Sequence, residues 1–189
     1  MPSPEISPAL LARASKIKLL LMDVDGVMTD GHLYNVPGPQ GEMVETKGFD
    51  SRDGISLQWA SWLGIETGVI SGRDSPALVT RAAQCRMKYV YQGHIEKIPI
   101  YEKILADAGV TDEQTGYIGD DLTDAPILAR AGLAAAPSNA RPEVKRMVHF
   151  VTGAAGGSGA MREVVELILR AQGKWVEILR KYGISDPDP

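Results

Sequence analysis

Cysteine is almost absent from this chain of 189 residues. Cys85 stands alone, which excludes an internal disulfide and fits a reducing compartment. Long apolar runs are missing as well. The longest in the first half, Leu19 to Met22, is far too short to cross a bilayer, and Met1 to Ile6 lack the basic start and apolar stretch of a signal peptide. Nor is there an excess of positive charge. Twenty Lys+Arg against twenty-four Asp+Glu give a net charge of −4, which disfavours a protein that works by neutralising nucleic-acid phosphates. The three histidines, His32, His94 and His149, are scattered, so no imidazole or thiolate cluster offers a soft metal site. These absences leave a cytoplasmic protein with no membrane and no nucleic acid among its partners. Its 44% hydrophobic and 23% charged residues suit one ordinary domain with a sizeable core.

Both ends are polar and rich in proline, so residues 1–8 and 184–189 are expected to be disordered tails around a single domain at 16–182. Short apolar runs at 17–22, 67–70, 88–91, 115–118, 133–136 and 149–151 alternate with longer amphipathic stretches. Continuous apolar runs suit strands buried on both faces, and their alternation with helices implies an α/β, doubly wound parallel sheet of Rossmann-like type. One segment departs from this rhythm. Residues 31–35 and 42–46 flank Val36-Pro37-Gly38-Pro39-Gln40-Gly41, which reads as a projecting β-hairpin. A last long helix is expected at about residues 160–182, and no internal repeat is visible.

Ligands of an open parallel sheet bind beyond the carboxyl ends of its strands. The first strand ends in Asp23-Val24-Asp25-Gly26 and the second in Ser71-Gly72-Arg73. The third leads to Lys97, and the fourth ends in Gly119-Asp120-Asp121 with Asp124 one turn on. Four successive strands therefore bring carboxylates, a hydroxyl, an arginine and a lysine to one rim. Such crowding of Asp23, Asp25, Asp120 and Asp121 would be strongly repulsive without a cation, and oxygen donors alone favour Mg²⁺. A carboxylate beside Mg²⁺ is a poor base but can attack phosphorus, while Asp25, two residues on, can exchange protons with the leaving group and with water.

In order and spacing these motifs resemble the haloacid dehalogenase-like phosphatases. From about Lys16 to Lys174 the resemblance narrows to the branch that acts on 3-deoxy-D-manno-octulosonate 8-phosphate. It rests on Arg52-Asp53-Gly54, Ser71-Gly72-Arg73-Asp74-Ser75-Pro76, Gly119-Asp120-Asp121, Gly156-Gly157-Ser158-Gly159-Ala160-Met161-Arg162-Glu163 and Ala171-Gln172-Gly173-Lys174. The resemblance implies that Asp23 is the nucleophile, Asp25 the acid and base, and Ser71 and Lys97 the clamps on the phosphoryl group. It implies Mg²⁺ on Asp23, the Asp25 carbonyl and Asp120, with Asp121 and Asp124 orienting metal waters or Lys97. Gly72, Arg73, Arg52 and Arg162 are the expected substrate contacts, Arg162 across a subunit boundary, and Arg52 has an ordinary surface ion pair as its alternative. A homotetramer in the lipopolysaccharide sugar pathway is implied in the same way.

Only 47 residues separate Asp23 from Ser71 and 25 separate Ser71 from Lys97, so the chain has no room for a cap domain. A phosphoaspartate site needs partial exclusion of water, and a neighbouring subunit is the economical source. The hairpin is expected to build that assembly, and residues 156–162 to close over an adjacent site. Residues 151–159 match a dinucleotide-binding glycine loop on paper, but the 30 residues that follow Gly159 leave no strand to place an acid on a ribose. A flexible loop carrying Arg162 is expected instead. Two alternatives stay open: a nine-carbon sugar acid 9-phosphate as substrate, and a catalytically silent assembly domain, whose signature would be loss of Asp23, Asp25 or Lys97.

Overall fold

The computed structural model describes residues 6–185. Its centre is a six-stranded parallel sheet in the order β5-β4-β1-β6-β7-β8. The strands are β1 (Leu19–Met22), β4 (Glu66–Ile70), β5 (Tyr89–Tyr91), β6 (Thr115–Ile118), β7 (Leu133–Ala136) and β8 (Phe150–Val151). All four residues of β1 are buried, and they alternate between two cores. Leu20 and Met22 join one helical layer, made of α1 (Pro8–Ala14), α2 (Ser51–Trp62), α3 (Pro76–Gln84), α7 (Ala160–Ala171) and α8 (Trp175–Lys181). Leu19 and Leu21 join the other, made of α4 (Ile98–Ala108), α5 (Ala125–Leu128) and α6 (Pro142–Lys145). The doubly wound α/β sheet expected from the apolar runs is the fold observed.

Chain order reverses beside β1. From β1 the chain moves outward through β4 and β5, then returns to place β6 on the other side. The crevice beyond the carboxyl ends of β4, β1 and β6 is therefore the switch point where a ligand fits. The hairpin of β2 (Tyr34–Pro37) and β3 (Met43–Thr46) stands off this sheet as a separate two-stranded ribbon.

Three local features differ from the sequence reading. The packed body begins before residue 16: Ser7 caps α1, Pro8 occupies its first turn, and Leu10 and Ala14 enter the core. Residues 1–5 and 186–189, most of the expected tails, lie outside the described residues. The long C-terminal helix is two helices, because Gly173 adopts a left-handed backbone (φ 67°) and redirects the chain between α7 and α8. Trp175 then turns inward and meets Trp59 edge to face at 5.8 Å. Finally, residues 153–159 do not form a loose loop. Glu163 accepts the amides of Gly153 and Ala154 at 2.7 and 2.9 Å, and Gly157 donates to the Val27 carbonyl at 3.0 Å.

Candidate active site

Asp23 directly follows β1, its amide bonded to the Ile118 carbonyl of β6 at 2.9 Å. Lys97, the residue before α4, reaches it from the side with Nζ 2.7 Å from Asp23 Oδ1. The same ammonium lies 2.7 Å from Asp124 Oδ1. Its side chain is only 3% exposed, so this is a desolvated interaction rather than a surface pair. Burial alone would lower the Lys97 pKa, but Asp23 and Asp124 outweigh it and hold the lysine charged. Lys103, the other lysine of this region, lies over the Tyr91 ring instead.

Asp124 is fully buried and fully used. It takes Lys97 and the Tyr117 hydroxyl on Oδ1, the latter at 2.7 Å, and the amides of Asp120 and Asp121 on Oδ2 at 3.1 and 3.3 Å. It fixes both the clamp lysine and the backbone that carries Asp120. Asp121 is exposed and caps the turn through the Leu122 amide. Asp120 differs from both. Its Oδ1 is buried and has no hydrogen-bond partner among the described residues.

Asp23, Asp120 and Asp124 each offer a carboxylate oxygen within 4.8 Å of the others. Asp124 is already committed to four donors, so Asp23 and Asp120 are the carboxylates left for a cation. Burial first, and then the charge of Asp23, pushes the Asp120 pKa up to about 7. Burial and Asp124 push Asp23 to about 6 against the pull of Lys97. An all-oxygen donor set with an orphaned buried oxygen fits a hard divalent ion such as Mg²⁺.

The cleft in front of these groups has a volume of about 200 Å³, and Asp25, Gly72 and Arg73 are among its lining residues. The structure thus brings together Asp23, Asp25, Lys97, Asp120, Asp121, Gly72 and Arg73. Ser71 is buried behind them. Its hydroxyl donates to the Arg73 carbonyl at 3.0 Å and accepts the Arg73 amide at 3.1 Å, so in this structure it shapes the turn that presents Gly72 and Arg73. Arg52 and Arg162 stand apart from this cleft, together on another one. Arg52 pairs with Asp50 at 2.6 Å, while Arg162 pairs with Glu166 at 2.6 Å and lies over the Trp59 ring.

Two site residues are missing from the sequence reading. Lys47, just past β3, buries its ammonium against Asp25 and lies 3.4 Å from Glu45, which in turn pairs with Arg73. The chain Asp25, Lys47, Glu45, Arg73 ties the hairpin to the cleft. Tyr117 is the other, buried inside β6 with its hydroxyl on Asp124. Neither residue carries a sequence signal of its own, since Lys47 follows a surface strand and Tyr117 sits inside a core one.

An aspartate at the switch point, paired with the lysine that opens α4 and set beside two further carboxylates, is an arrangement suited to a phosphoryl-transfer hydrolase without a cap. Comparison with known proteins agrees. The sequence model of the haloacid dehalogenase-like hydrolases matches residues 78–163. The 3-deoxy-D-manno-octulosonate 8-phosphate phosphatase of Yersinia pestis is 41% identical over 89% of this chain and 88% of its own. Its crystal structure superposes with a TM-score of 0.83, at 42% identity and 88% coverage of each chain. The enzyme of that name from Moraxella catarrhalis, solved with magnesium, phosphate and KDO, is 32% identical with a TM-score of 0.86, over 92% of this chain and 97% of its own. The chain belongs to the 3-deoxy-D-manno-octulosonate 8-phosphate phosphatase family of haloacid dehalogenase-like hydrolases.

Proposed function

We infer that this chain is a Mg²⁺-dependent phosphatase that hydrolyses 3-deoxy-D-manno-octulosonate 8-phosphate to the free sugar acid and inorganic phosphate. The observation that carries the reading is the orphaned Asp120 Oδ1 beside an Asp23–Lys97 pair, in a chain 41% identical to a phosphatase of that name. Asp23, the Asp25 carbonyl and Asp120 would hold the ion, which supplies positive charge against the phosphoryl oxygens. Lys97 supplies a second positive charge beside Asp23.

Asp23 attacks phosphorus, and the bond from phosphorus to the sugar oxygen breaks with its electron pair on that oxygen. The oxygen takes a proton from Asp25 and leaves as the sugar hydroxyl. A water then gives a proton back to Asp25 and attacks the phosphorus of the aspartyl phosphate. The phosphorus–Asp23 bond breaks, inorganic phosphate departs, and both side chains regain their starting forms.

At about 200 Å³ the cleft falls below the roughly 300–1,000 Å³ usual for small-molecule sites. It suits a phosphoryl group, with the rest of the substrate extending past Arg73 toward the surface. A second copy of the chain is the proposed cover, with Arg52 and Arg162 facing the sugar acid of a neighbour. The hairpin supports self-association as a homotetramer, because Leu33, Tyr34, Val36, Met43 and Val44 leave much of their apolar surface in solvent. A cytoplasmic setting agrees with a lone buried Cys85, and no helix among the described residues is long and apolar enough to cross a membrane.

The test is phosphate release with Mg²⁺, against an EDTA control, from the eight-carbon and nine-carbon 2-keto-3-deoxy phosphates beside generic sugar phosphates. Strong preference for the eight-carbon acid is expected. Preference for the nine-carbon ester would keep the mechanism and replace the substrate. No EDTA-sensitive release from any ester would leave a silent domain.

A further inference from the structure

The glycine-rich stretch between β8 and α7 has no part in the chemistry described so far, yet it lies flush against the loop that carries Asp23 and Asp25. A β-carbon on Gly156 would sit 1.8 Å from the Gly26 carbonyl oxygen, and one on Gly157 would sit 2.6 Å from the carbonyl carbon of Thr29. Only glycine lets two backbones approach so closely. The Gly157 amide donates to the Val27 carbonyl at 3.0 Å, and the Gly156 amide donates to Asn139 Oδ1 at 2.9 Å. Residues 26–30, one step past the Asp25 carbonyl, therefore rest on residues 156–157.

Asp53 fixes the far end of this support. It lies in the first turn of α2 and is 2% exposed. Oδ1 accepts the Arg162 amide at 2.8 Å and Oδ2 the Gly159 amide at 3.3 Å. Helix α7 starts after Gly159, which has no side chain to cap it, so Asp53 supplies the cap from another element. The acidic side chain serves both amides at once. An amide isostere would accept from one and turn its own N–H₂ toward the other. Its charge also complements the positive end of the α7 dipole. A capping role alone would explain α7. The glycine contacts extend the same restraint to the catalytic loop.

We propose that Asp53 is a positioning residue for the metal-binding aspartate loop, acting through the glycine stretch 153–159. The proposal rests on the Mg²⁺ reading above. Loosening Asp53 frees the start of α7, residues 156–157 withdraw, and the backbone that presents the Asp25 carbonyl loses its backing relative to Asp23 and Asp120.

The experiment uses the full chain and Mg²⁺ alone, without substrate. Calorimetric titration of Asp53→Asn should show Mg²⁺ affinity weakened by about 10-fold or more, the range typical when an outer partner of a metal site is lost. Amide exchange should quicken at 156–162 and at 26–30. A merely structural Asp53 would lower the melting temperature and leave Mg²⁺ affinity as it was, and that result overturns the proposal. If the variant does not fold, the wild-type chain still decides, because coupling is reciprocal. Saturating Mg²⁺ should slow exchange of the Gly157, Gly159 and Arg162 amides, and unchanged exchange overturns the proposal as well. Wild-type chain that binds no Mg²⁺ would sink the metal site and the brace together, whereas normal wild-type binding with an indifferent Asp53→Asn sinks the brace alone.

Discussion

An ammonium shared by two carboxylates in a buried pocket does two jobs, and Lys97 shows how they separate. Toward Asp23 it offsets the charge that would repel a phosphoryl group, and toward Asp124 it completes a network that includes Tyr117 and two backbone amides. Lys97→Ala should nearly abolish phosphate release. It should also lower stability by about 3 kcal/mol, since removing one partner of a buried pair leaves an uncompensated charge. For a chain of this size that is a drop of about 6–12 °C in Tm, read by thermal denaturation in Mg²⁺-free buffer. A mild loss of activity there would move the clamp to Lys103. Asp23→Asn removes the proposed nucleophile and keeps its shape, so turnover should fall by about 10³-fold or more with the fold intact by circular dichroism. Retention of a few per cent of activity would contradict the assignment. Most of these residues were legible because each directly follows a readable strand or opens a readable helix. Lys47 and Tyr117 were not, since a lysine after a surface strand and a tyrosine inside a core strand look ordinary until the fold brings them to Asp25 and Asp124.

At the scale of elements, periodicity told most where burial was complete. The six sheet strands fall on the apolar runs to within a residue or two, and in β1, β6 and β7, where every residue is buried, a strand covered on both faces has little choice of composition. The C-terminal helix was harder to divide: a hydrophobic stripe continues from Leu169 past Gly173 to Trp175 and Ile178, and only the backbone angle at Gly173 shows the turn. The glycine loop departs from the looseness its composition suggests for a related reason. Glycines that signal looseness in a sequence here serve close approach, and sequence does not say what they approach. The hairpin divides its work by face. Glu45 turns toward Arg73 and Lys47, so its cross-strand partner Asn35 shares that side. Val36 and Val44, paired across the ribbon, turn the other way and are 46% and 43% exposed. Val36→Glu with Val44→Glu should therefore disperse the proposed assembly while sparing the Glu45 face. Sedimentation velocity is expected to give monomers of 20.3 kDa, with slower turnover per chain as the cleft loses its proposed cover. An unchanged oligomer would move the interface elsewhere.

For the whole molecule, the cleft stores unfavourable charge that the core must carry. Burial, first, and neighbouring carboxylates raise Asp120 to about 7 and Asp23 to about 6. Burial also raises Asp53 to about 6. Each binds its proton more tightly in the folded chain than in the unfolded one, where a carboxyl titrates near about 4. Stability from these groups is thus fully present below about pH 4 and is lost as pH rises through about 6 to 7. Taken alone, these three groups make the Mg²⁺-free protein less stable at about pH 8 than at about pH 5, the reverse of what salt-bridged surface acids produce. A cation reverses the slope, because it binds the ionised carboxylates and must displace protons where they are held. The increase in Tm on adding Mg²⁺ should therefore be larger at about pH 8 than at about pH 5. The measurement is a set of thermal melts across that range, with Mg²⁺ or with EDTA. Asp120→Asn removes both the largest of the three shifts and a proposed ligand, so it should flatten the Mg²⁺-free slope and shrink the Mg²⁺ effect together. An Asp120→Asn chain that keeps the full Mg²⁺ effect would mean that the cation is held by other groups.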